Sequence, residues 1–441
     1  MIYIMIILLI IMVVLSYYFF NKSLTRPTQI SLYIFLVGSI VCAYGLESSW
    51  TAIEFSGYGV IVIIVSLALM LCGELFSEYA FNKKMATTYD ENISVTSPLS
   101  NKVVIVNNSL CFVAFLLYLR RLLVLATNYG YSGENFLFYV RLATLKGERN
   151  GFVISFLITW CKISSYLYTY FFIKSIFLEG INKAFVFRWQ YLIGVVISFL
   201  IDYISAAKYN FIKSFSYSLL CGLLLYKNIK RQDIKLRNLC AIGGGIISVT
   251  VILFFAVGEA RSSFNNNSGF DELISYMGSS IALLDQGVLC PELNQSNLFA
   301  GLTFNGLWST LSRFGFEYSE SSKFLDFMFL NQKLSSNVYT MQYNLLKDFG
   351  FLGLIVIEFL VGFVYGYFYR VCLMKKNDMP KILYCYFSYN LILQLWNPTM
   401  FQEMFTLTWF LEICLIVIFN QYISKSRNCD NVRRLHTVRS W

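Results

Sequence analysis

The residues best suited to chemistry lie in a long polar interval, residues 259–346, between two hydrophobic parts of the chain. From Glu259 through Leu345 it carries eight acidic and four basic residues together with many aromatic ones. Carboxylates move protons and accept hydrogen bonds from sugar hydroxyls, and aromatic rings pack against the apolar faces of sugars. We therefore expect a site that handles carbohydrate in this interval. A passive connecting loop is the alternative.

The rest of the chain has the composition of a membrane protein. Hydrophobic residues make up 57% of the 441 positions and charged residues only 14%, whereas soluble domains are about one quarter charged. Apolar stretches of about 20 residues recur, as transmembrane helices require. We expect an all-α polytopic protein with about eleven spans. The expected spans are 2–20, 29–46, 57–76, 103–119, 152–172, 189–204, 209–226, 239–257, 347–370, 382–396 and 405–423.

These spans divide the chain into four parts, which are residues 1–258 with eight helices, the interval 259–346, residues 347–424 with three helices, and a basic tail, 425–441. If the tail is cytoplasmic, 22 Lys and Arg residues fall in cytoplasmic segments and 11 in outer segments. This bias follows the positive-inside rule, so we expect the interval and the N-terminus outside the cytoplasm. The first apolar stretch lacks signal-peptide flanks, and we expect a retained span there.

Basic residues on the outer side oppose the orienting rule, and an anionic ligand is one reason to keep them there. Arg141 and Arg149 lie in an apolar, amphipathic segment suited to the membrane interface, where they can meet lipid phosphates. Anchoring to lipid headgroups is the alternative. Lys208 lies in a short outer turn and is free to face a substrate. Asp202 and Lys213, which flank this turn, are expected to neutralise each other.

Within the interval, residues 271–285 and 298–315 have helical spacing, and we expect two helices that lie along the outer membrane surface and roof a cleft. The following span contains Gly362 and Gly366, a pattern typical of close helix packing. It also contains Glu358, an acid that is costly in a membrane unless it is paired. Asp348, at the outer mouth of this span, is the better candidate for chemistry because its depth matches the interval.

The sequence lacks the patterns of several other site types. It has no DxD, no HExxH and no cluster of His and Cys residues, so no catalytic metal and no cofactor are predicted. It also has no glycine-rich phosphate loop, because Gly243, Gly244 and Gly245 lie inside an expected span. The net charge of +10 is explained by membrane topology, so no nucleic-acid partner is indicated.

The stretch NVYTMQYNLLKDFGFLGLIVIEFLVGFVYGYFYR, residues 337–370, resembles the Wzy-type oligosaccharide repeat-unit polymerases, the O-antigen polymerases of bacterial inner membranes. The segments YMGSSIALLD (276–285) and LTFNGLWSTLSRFG (302–315) look like the outer loop of that family. ISAAKYNFIKS (204–214) looks like its outer turn, with Lys208 where the family often presents an arginine.

The resemblance implies a glycosyltransferase of the inner membrane that extends a glycan on the periplasmic side, with the N-terminus periplasmic and the C-terminus cytoplasmic. Undecaprenyl-pyrophosphate-linked repeat units would be its substrates, in contact with membrane lipids, and a chain-length regulator and a flippase are candidate partners. A carboxylate would serve as general base and basic residues would bind the leaving diphosphate. The candidates are Asp285 or Asp348 as the base, Arg261, Arg141, Arg149, Lys208 and Lys347 for the diphosphate, and Trp308 and Tyr339 as sugar platforms.

Three other functions stay open. An O-antigen ligase would have nearly the same topology, but that family uses a histidine in its outer loop, and this interval has none. A transporter or flippase of lipid-linked oligosaccharides is expected to concentrate charges along a central pathway and to show internal repeats. A scaffold for other assembly enzymes would leave the outer basic residues without a role.

Overall fold

The computed structural model describes residues 1–85, 101–146, 148, 150–205, 208–235, 237, 244, 269–290, 292–294, 298–316, 325–375, 377–396 and 399–421. Over these ranges the chain is helical apart from connections and one hairpin of two-residue strands, β1 (Met328–Phe329) and β2 (Ser335–Ser336).

Seven helices in the described ranges are long and apolar enough to cross a membrane. A helix of about 20 apolar residues spans the hydrocarbon core of a bilayer, so the protein is an all-α, multi-pass membrane protein. The seven are α1 (Ile2–Phe19), α2 (Pro27–Ser48), α3 (Tyr58–Met85), α4 (Asn101–Asn128), α6 (Phe152–Glu179), α7 (Ile181–Ile204) and α11 (Met341–Met374). The others are α5 (Phe136–Leu145), α8 (Lys208–Lys230), α9 (Gly269–Leu289), α10 (Asn305–Leu311), α12 (Asp378–Ser388), α13 (Asn390–Leu393), α14 (Thr399–Glu403) and α15 (Leu407–Gln421).

The other four expected spans differ in their outcome, so a total of eleven stays a prediction. The span expected at 209–226 coincides with α8, which is not among the seven. The span expected at 239–257 lies outside the described residues except for Gly244. The span expected at 382–396 is divided between α12 and α13, and the one expected at 405–423 contains the shorter helix α15.

Helices α3 and α11 pack against each other in parallel. A Cβ atom added at Gly362 would lie 1.9 Å from the carbonyl oxygen of Met70, and one at Gly73 would lie 2.0 Å from that of Phe359. Further along, Gly366 approaches Glu74, so both helices advance in the same direction. The close-packing role predicted for Gly362 and Gly366 is confirmed, because only a residue without a side chain leaves room for these backbones.

Helix α11 reverses its direction at Gly350, which has φ 65° and ψ −171°. Gln342 Nε2 donates a hydrogen bond of 2.9 Å to Glu358 Oε1, although 16 residues separate them. In a straight helix they would be about 24 Å apart, given a rise of about 1.5 Å per residue. Residues 341–349 therefore form a re-entrant helix beside residues 351–374. The expectation of one continuous helix across 347–370 is wrong at its beginning.

We call the end of the bundle that contains Gly350 and the start of α3 the cap end. Much of the polar interval folds onto it. A Cβ at Gly278 would lie 2.7 Å from the Cys42 nitrogen, which shows how closely α9 crosses α2. The hairpin joins the same surface, because Ser336 Oγ lies 2.8 Å from Ser279 Oγ and Leu330 accepts a hydrogen bond from the Ala52 N–H.

The two helices expected in the interval had different outcomes. The helix expected over 271–285 is confirmed, because α9 contains that range, but α9 is packed onto α2 and α3 instead of only roofing a cleft. The helix expected over 298–315 is mostly wrong. Only α10 and the 3₁₀ turn Ser312–Phe314 are helical there. The N–H groups of Leu302 and Thr303 donate to Asp348, and this tertiary contact replaces helical hydrogen bonds.

At the opposite end of the bundle, Arg26 joins α2 to α3. Its guanidinium lies 3.0 Å from Glu78 and 3.8 Å from Glu74, and it also stacks on the Tyr369 ring, 5.4 Å from the centroid. Arg370 of α11 donates to the Glu78 carbonyl at 2.6 Å. These contacts hold the ends of three helices together.

Candidate functional site

Asp285, a predicted catalytic carboxylate, is completely buried and binds the beginning of α3. It accepts hydrogen bonds from the N–H groups of Ser56 (2.6 Å), Gly57 (2.9 Å) and Gly59 (2.8 Å), and from the Ser56 hydroxyl (3.0 Å). These donors are the unpaired amides expected at a helix N-terminus, where a negative charge is also favoured. With about four acceptor positions on a carboxylate, Asp285 has none left for a substrate. This arrangement is structural.

Asp348 lies two residues before the reversal at Gly350 and is partly exposed. Its Oδ2 accepts a hydrogen bond of 2.6 Å from the Thr303 N–H, and Oδ1 accepts one of 3.4 Å from the Leu302 N–H. At least one acceptor position on this carboxylate stays open to a ligand. Of the two predicted candidate bases, Asp348 has the geometry that a general base needs.

Lys347 and Tyr339 lie near Asp348 in the chain but differ in their accessibility. Lys347 Nζ is partly exposed, donates to the Cys290 carbonyl at 2.7 Å and lies 5.5 Å from the centroid of the Tyr343 ring. Tyr339 is only 1% exposed and stacks on Tyr343, with the ring centroids 4.3 Å apart. Burial raises the pKa of Tyr339 to about 12. Its ring has no open face for a sugar.

Trp308, the other predicted sugar platform, lies on α10 and is partly exposed. Its indole N–H donates to the Phe299 carbonyl at 3.1 Å. The Phe299 ring is 79% exposed and lies 5.8 Å from the Phe349 ring, so it presents a larger free aromatic face than Trp308. Phe299 was not predicted as a platform, because its sequence context does not distinguish it from the other aromatic residues of the interval.

Arg141 is the other predicted diphosphate ligand whose side chain is described. It lies on α5, which covers the first part of the expected amphipathic segment, and it is close enough to Tyr276 of α9 to interact with it electrostatically. Burial lowers the pKa of Arg141, yet a guanidinium stays charged at neutral pH. Among the remaining predicted basic ligands, Arg149 and Arg261 lie outside the described residues, and of Lys208 only the backbone is described.

A second polar cluster, formed by Tyr209, Lys213, Tyr389 and Glu403, connects α8 to the segment between α12 and α15. The Glu403 carboxylate accepts hydrogen bonds from Lys213 Nζ at 2.9 Å, from the Tyr209 hydroxyl at 3.0 Å and from the Tyr389 hydroxyl. Lys213 Nζ also lies 4.4 Å from the centroid of the Tyr389 ring. Burial by itself would raise the pKa of Glu403, but Lys213 and the two tyrosines outweigh it and the pKa is lowered.

The predicted mutual neutralisation of Asp202 and Lys213 is wrong in its pairing. Asp202 forms its ion pair with Lys162 of α6 at 3.4 Å, and Lys213 forms its ion pair with Glu403. Glu403 was missed because it lies after the last polar loop considered. An acid between two apolar segments was nevertheless a usable signal, because ionisable groups near a membrane interior are commonly functional.

Neighbouring residues extend both polar regions. The Tyr386 hydroxyl donates to Glu412 of α15. Gln402, next to Glu403, donates to the Leu302 carbonyl at 3.4 Å, and Asn344 donates to the same carbonyl at 3.2 Å. The Asp348 region and the Glu403 cluster are thus joined through α14. In the part of the chain that the structure describes, no three His, Cys, Asp or Glu side chains are grouped as a metal site would require.

Comparisons of the chain with protein-family models, with curated proteins and with solved structures find no match.

Proposed function

We propose that this protein is a Wzy-type glycosyltransferase, which polymerises undecaprenyl-pyrophosphate-linked repeat units into a surface polysaccharide on the periplasmic side of the bacterial inner membrane. One observation carries the proposal. Asp348, in the stretch that most resembles those polymerases, directly binds Leu302 and Thr303, which begin another segment with that resemblance. The two segments meet at the cap end around a partly exposed carboxylate.

In the proposed reaction, a sugar hydroxyl of the acceptor attacks the anomeric carbon of the donor glycan. The new C–O bond forms as the bond to the lipid diphosphate breaks, and the diphosphate leaves with the bonding electrons. Asp348 accepts the hydroxyl proton. We assign this role to Asp348 because Asp285 is buried and fully bonded.

The leaving diphosphate needs positive charge near the membrane boundary. Lys347, next to Asp348 in the chain, and Arg141 on α5 are the described candidates. Arg149, Lys208 and Arg261 are further candidates of this type. Trp308 and Phe299 supply partly exposed aromatic surfaces against which a sugar can pack.

A gene deletion distinguishes this proposal from its rivals. Loss of a polymerase leaves lipopolysaccharide capped with a single repeat unit, whereas loss of a flippase or a ligase leaves none. The purified protein should then convert lipid-linked repeat units, extracted from the deletion strain, into a ladder of longer chains. Asp348→Asn should abolish the ladder at an unchanged level of folded protein. A wild-type protein that forms no ladder would refute the proposal.

A further inference from the structure

The Glu403 cluster is a polar site distinct from the Asp348 carboxylate. Three donors, Tyr209, Lys213 and Tyr389, converge on one carboxylate. The Glu403 side chain is 32% exposed and the Lys213 side chain only 10%, so the glutamate is the more accessible residue of the pair. A carboxylate offers about four acceptor positions, and three donors leave room for one more from a ligand.

The charges around this cluster disfavour an anionic ligand. Lys213 is paired with Glu403, and the other nearby lysine, Lys162, is paired with Asp202 at 3.4 Å. Glu412 adds a third acid, whose described partner is the Tyr386 hydroxyl. Among the side chains described around this cluster, acids therefore outnumber bases, and a diphosphate would meet no uncompensated positive charge among them. A ligand that donates hydrogen bonds is favoured instead.

An exposed aromatic ring lies next to the carboxylate in the chain. Phe405, two residues after Glu403, has φ 64° and a side chain that is 41% exposed. A left-handed backbone is uncommon for a bulky residue. The Phe405 ring lies 6.1 Å from the Trp409 ring, between centroids, and follows the Glu403 acceptor by two residues. An apolar ring and a hydrogen-bond acceptor on one turn are a combination that suits a sugar.

From these contacts we infer that Glu403, with Lys213 and the two tyrosines, forms a carbohydrate subsite that binds hydroxyl groups of an uncharged part of the glycan. The inference rests on the proposed function for the identity of the ligand, the repeat unit. Lys213 positions the carboxylate, and Glu403 accepts hydrogen bonds from the sugar. The diphosphate is assigned to a different part of the protein, for which Lys347 and Arg141 are separate candidates.

The test uses the full-length protein in lipid nanodiscs and the oligosaccharide repeat unit released by mild acid from the host's surface polysaccharide. Calorimetry should show binding by the wild type, and Glu403→Gln should weaken it about tenfold, the effect of losing one charge-assisted hydrogen bond. Glu179→Gln is the matched control, because Glu179 is also ion-paired, with Arg188 at 3.1 Å, and is 34% exposed. We expect this control to bind as the wild type does.

Inorganic pyrophosphate tests the other ligand class. A subsite for sugar predicts that pyrophosphate neither competes with the oligosaccharide nor binds more tightly to Glu403→Gln. Competition, or tighter binding to this variant because Lys213 is released, would overturn the inference. If Glu403→Gln does not fold, Glu403→Asp, which keeps the charge but withdraws the carboxylate, takes its place. Unchanged oligosaccharide binding in a folded variant would also overturn it.

The outcome is separable from that of the proposed function. Binding that depends on Glu403, without any ladder from lipid-linked repeat units, would support the subsite and refute the polymerase. A ladder from wild-type protein together with unchanged binding by Glu403→Gln would support the polymerase and refute the subsite.

Discussion

The side-chain amide of Gln342 donates a hydrogen bond of 2.9 Å to the carboxylate of Glu358, and both residues are completely buried. The Gln342 amide oxygen, Oε1, and the other Glu358 carboxylate oxygen, Oε2, have no hydrogen-bond partner among the described residues. This contact holds the re-entrant helix against the rest of α11. The contact depends on the reversal at Gly350, because the reversal brings residues 342 and 358 side by side.

Gln342→Leu should destabilise the protein by about 1–3 kcal/mol, because it leaves the buried carboxyl of Glu358 without its donor. The double variant Gln342→Leu with Glu358→Leu should regain much of this loss, since removing both polar partners avoids an unpaired buried group. Urea unfolding in detergent measures all three free energies of unfolding. Two single losses that simply add in the double variant would show that the residues do not act as a pair.

Gly350→Ala should cost about 1–3 kcal/mol through backbone strain, because φ 65° with ψ −171° disfavours any side chain. Space is not limiting, since nothing lies within 4 Å of an added Cβ. Gly222→Ala is the control, because Gly222 also has open space but is inside the helix α8. Thermal unfolding should show a lower melting temperature for Gly350→Ala and no decrease for Gly222→Ala. Equal melting temperatures would contradict the assigned backbone conformation.

Gly362→Leu should prevent α3 and α11 from packing, because even a Cβ there would lie 1.9 Å from the Met70 carbonyl oxygen. Overpacking of this kind typically costs about 1–3 kcal/mol, and more when two backbones must separate. Gel filtration of purified protein should show aggregation or loss. Gly222→Leu, which adds the same side chain where space is open, should give a monodisperse peak. A normal peak from Gly362→Leu would be inconsistent with the parallel packing.

Asp285→Asn should reduce the amount of folded protein. The amide nitrogen introduced by this substitution is a donor, and it would face backbone N–H donors that bind a carboxylate in the wild type. Losing one such charge-assisted contact costs about 1.5–3 kcal/mol. Asp348→Asn, with two backbone donors on its carboxylate, should fold but lack activity. Immunoblots of membranes and the ladder assay separate the two effects. If Asp285→Asn were well folded but inactive, Asp285 would again be a candidate catalytic residue.

The Glu403 cluster predicts a loss of stability in acid. The folded pKa of Glu403 lies below its ordinary value of 4.5, so the stabilisation is fully present above 4.5 and is lost as the pH falls through the folded value. The melting temperature of the wild type should therefore decrease more than that of Glu403→Gln as the pH is lowered from neutral to well below 4.5. Identical pH dependence in the wild type and Glu403→Gln would argue against the ion pair with Lys213.

The sequence predicted the helical membrane fold well, because repeated apolar stretches of span length are typical of membrane-spanning helices and rare in soluble domains. It also predicted α9 and the close packing of Gly362. It did not predict the reversal at Gly350, since a re-entrant helix and a straight span have the same apolar composition. The sequence also could not show which of the two carboxylates is accessible to a ligand. Asp285 and Asp348 differ in the backbone donors that the tertiary structure brings to them.

The sequence also could not show which charged residues form ion pairs, because the pairs depend on tertiary structure. Asp202 and Lys213 lie on either side of one short turn, yet each pairs with a residue on a different helix, Lys162 and Glu403 respectively. Proximity in sequence therefore gave the wrong partners. The interaction of Lys213 with Glu403 depends on the turn that joins α14 to α15. No periodic pattern in the sequence predicts this turn.

The parallel packing of α3 and α11 has a consequence for biosynthesis. Helix α3 leaves the ribosome long before α11 exists, so the surface that carries Gly73 and the buried Glu74 first meets lipid or another helix. Insertion of α11 must displace that temporary neighbour. In a chain that ends before residue 341, the Gly73 surface of α3 would stay without its partner, whereas Glu74 would keep its contacts with Arg26 and the Thr28 N–H. The packing of this early helix therefore depends on a segment that is synthesised much later.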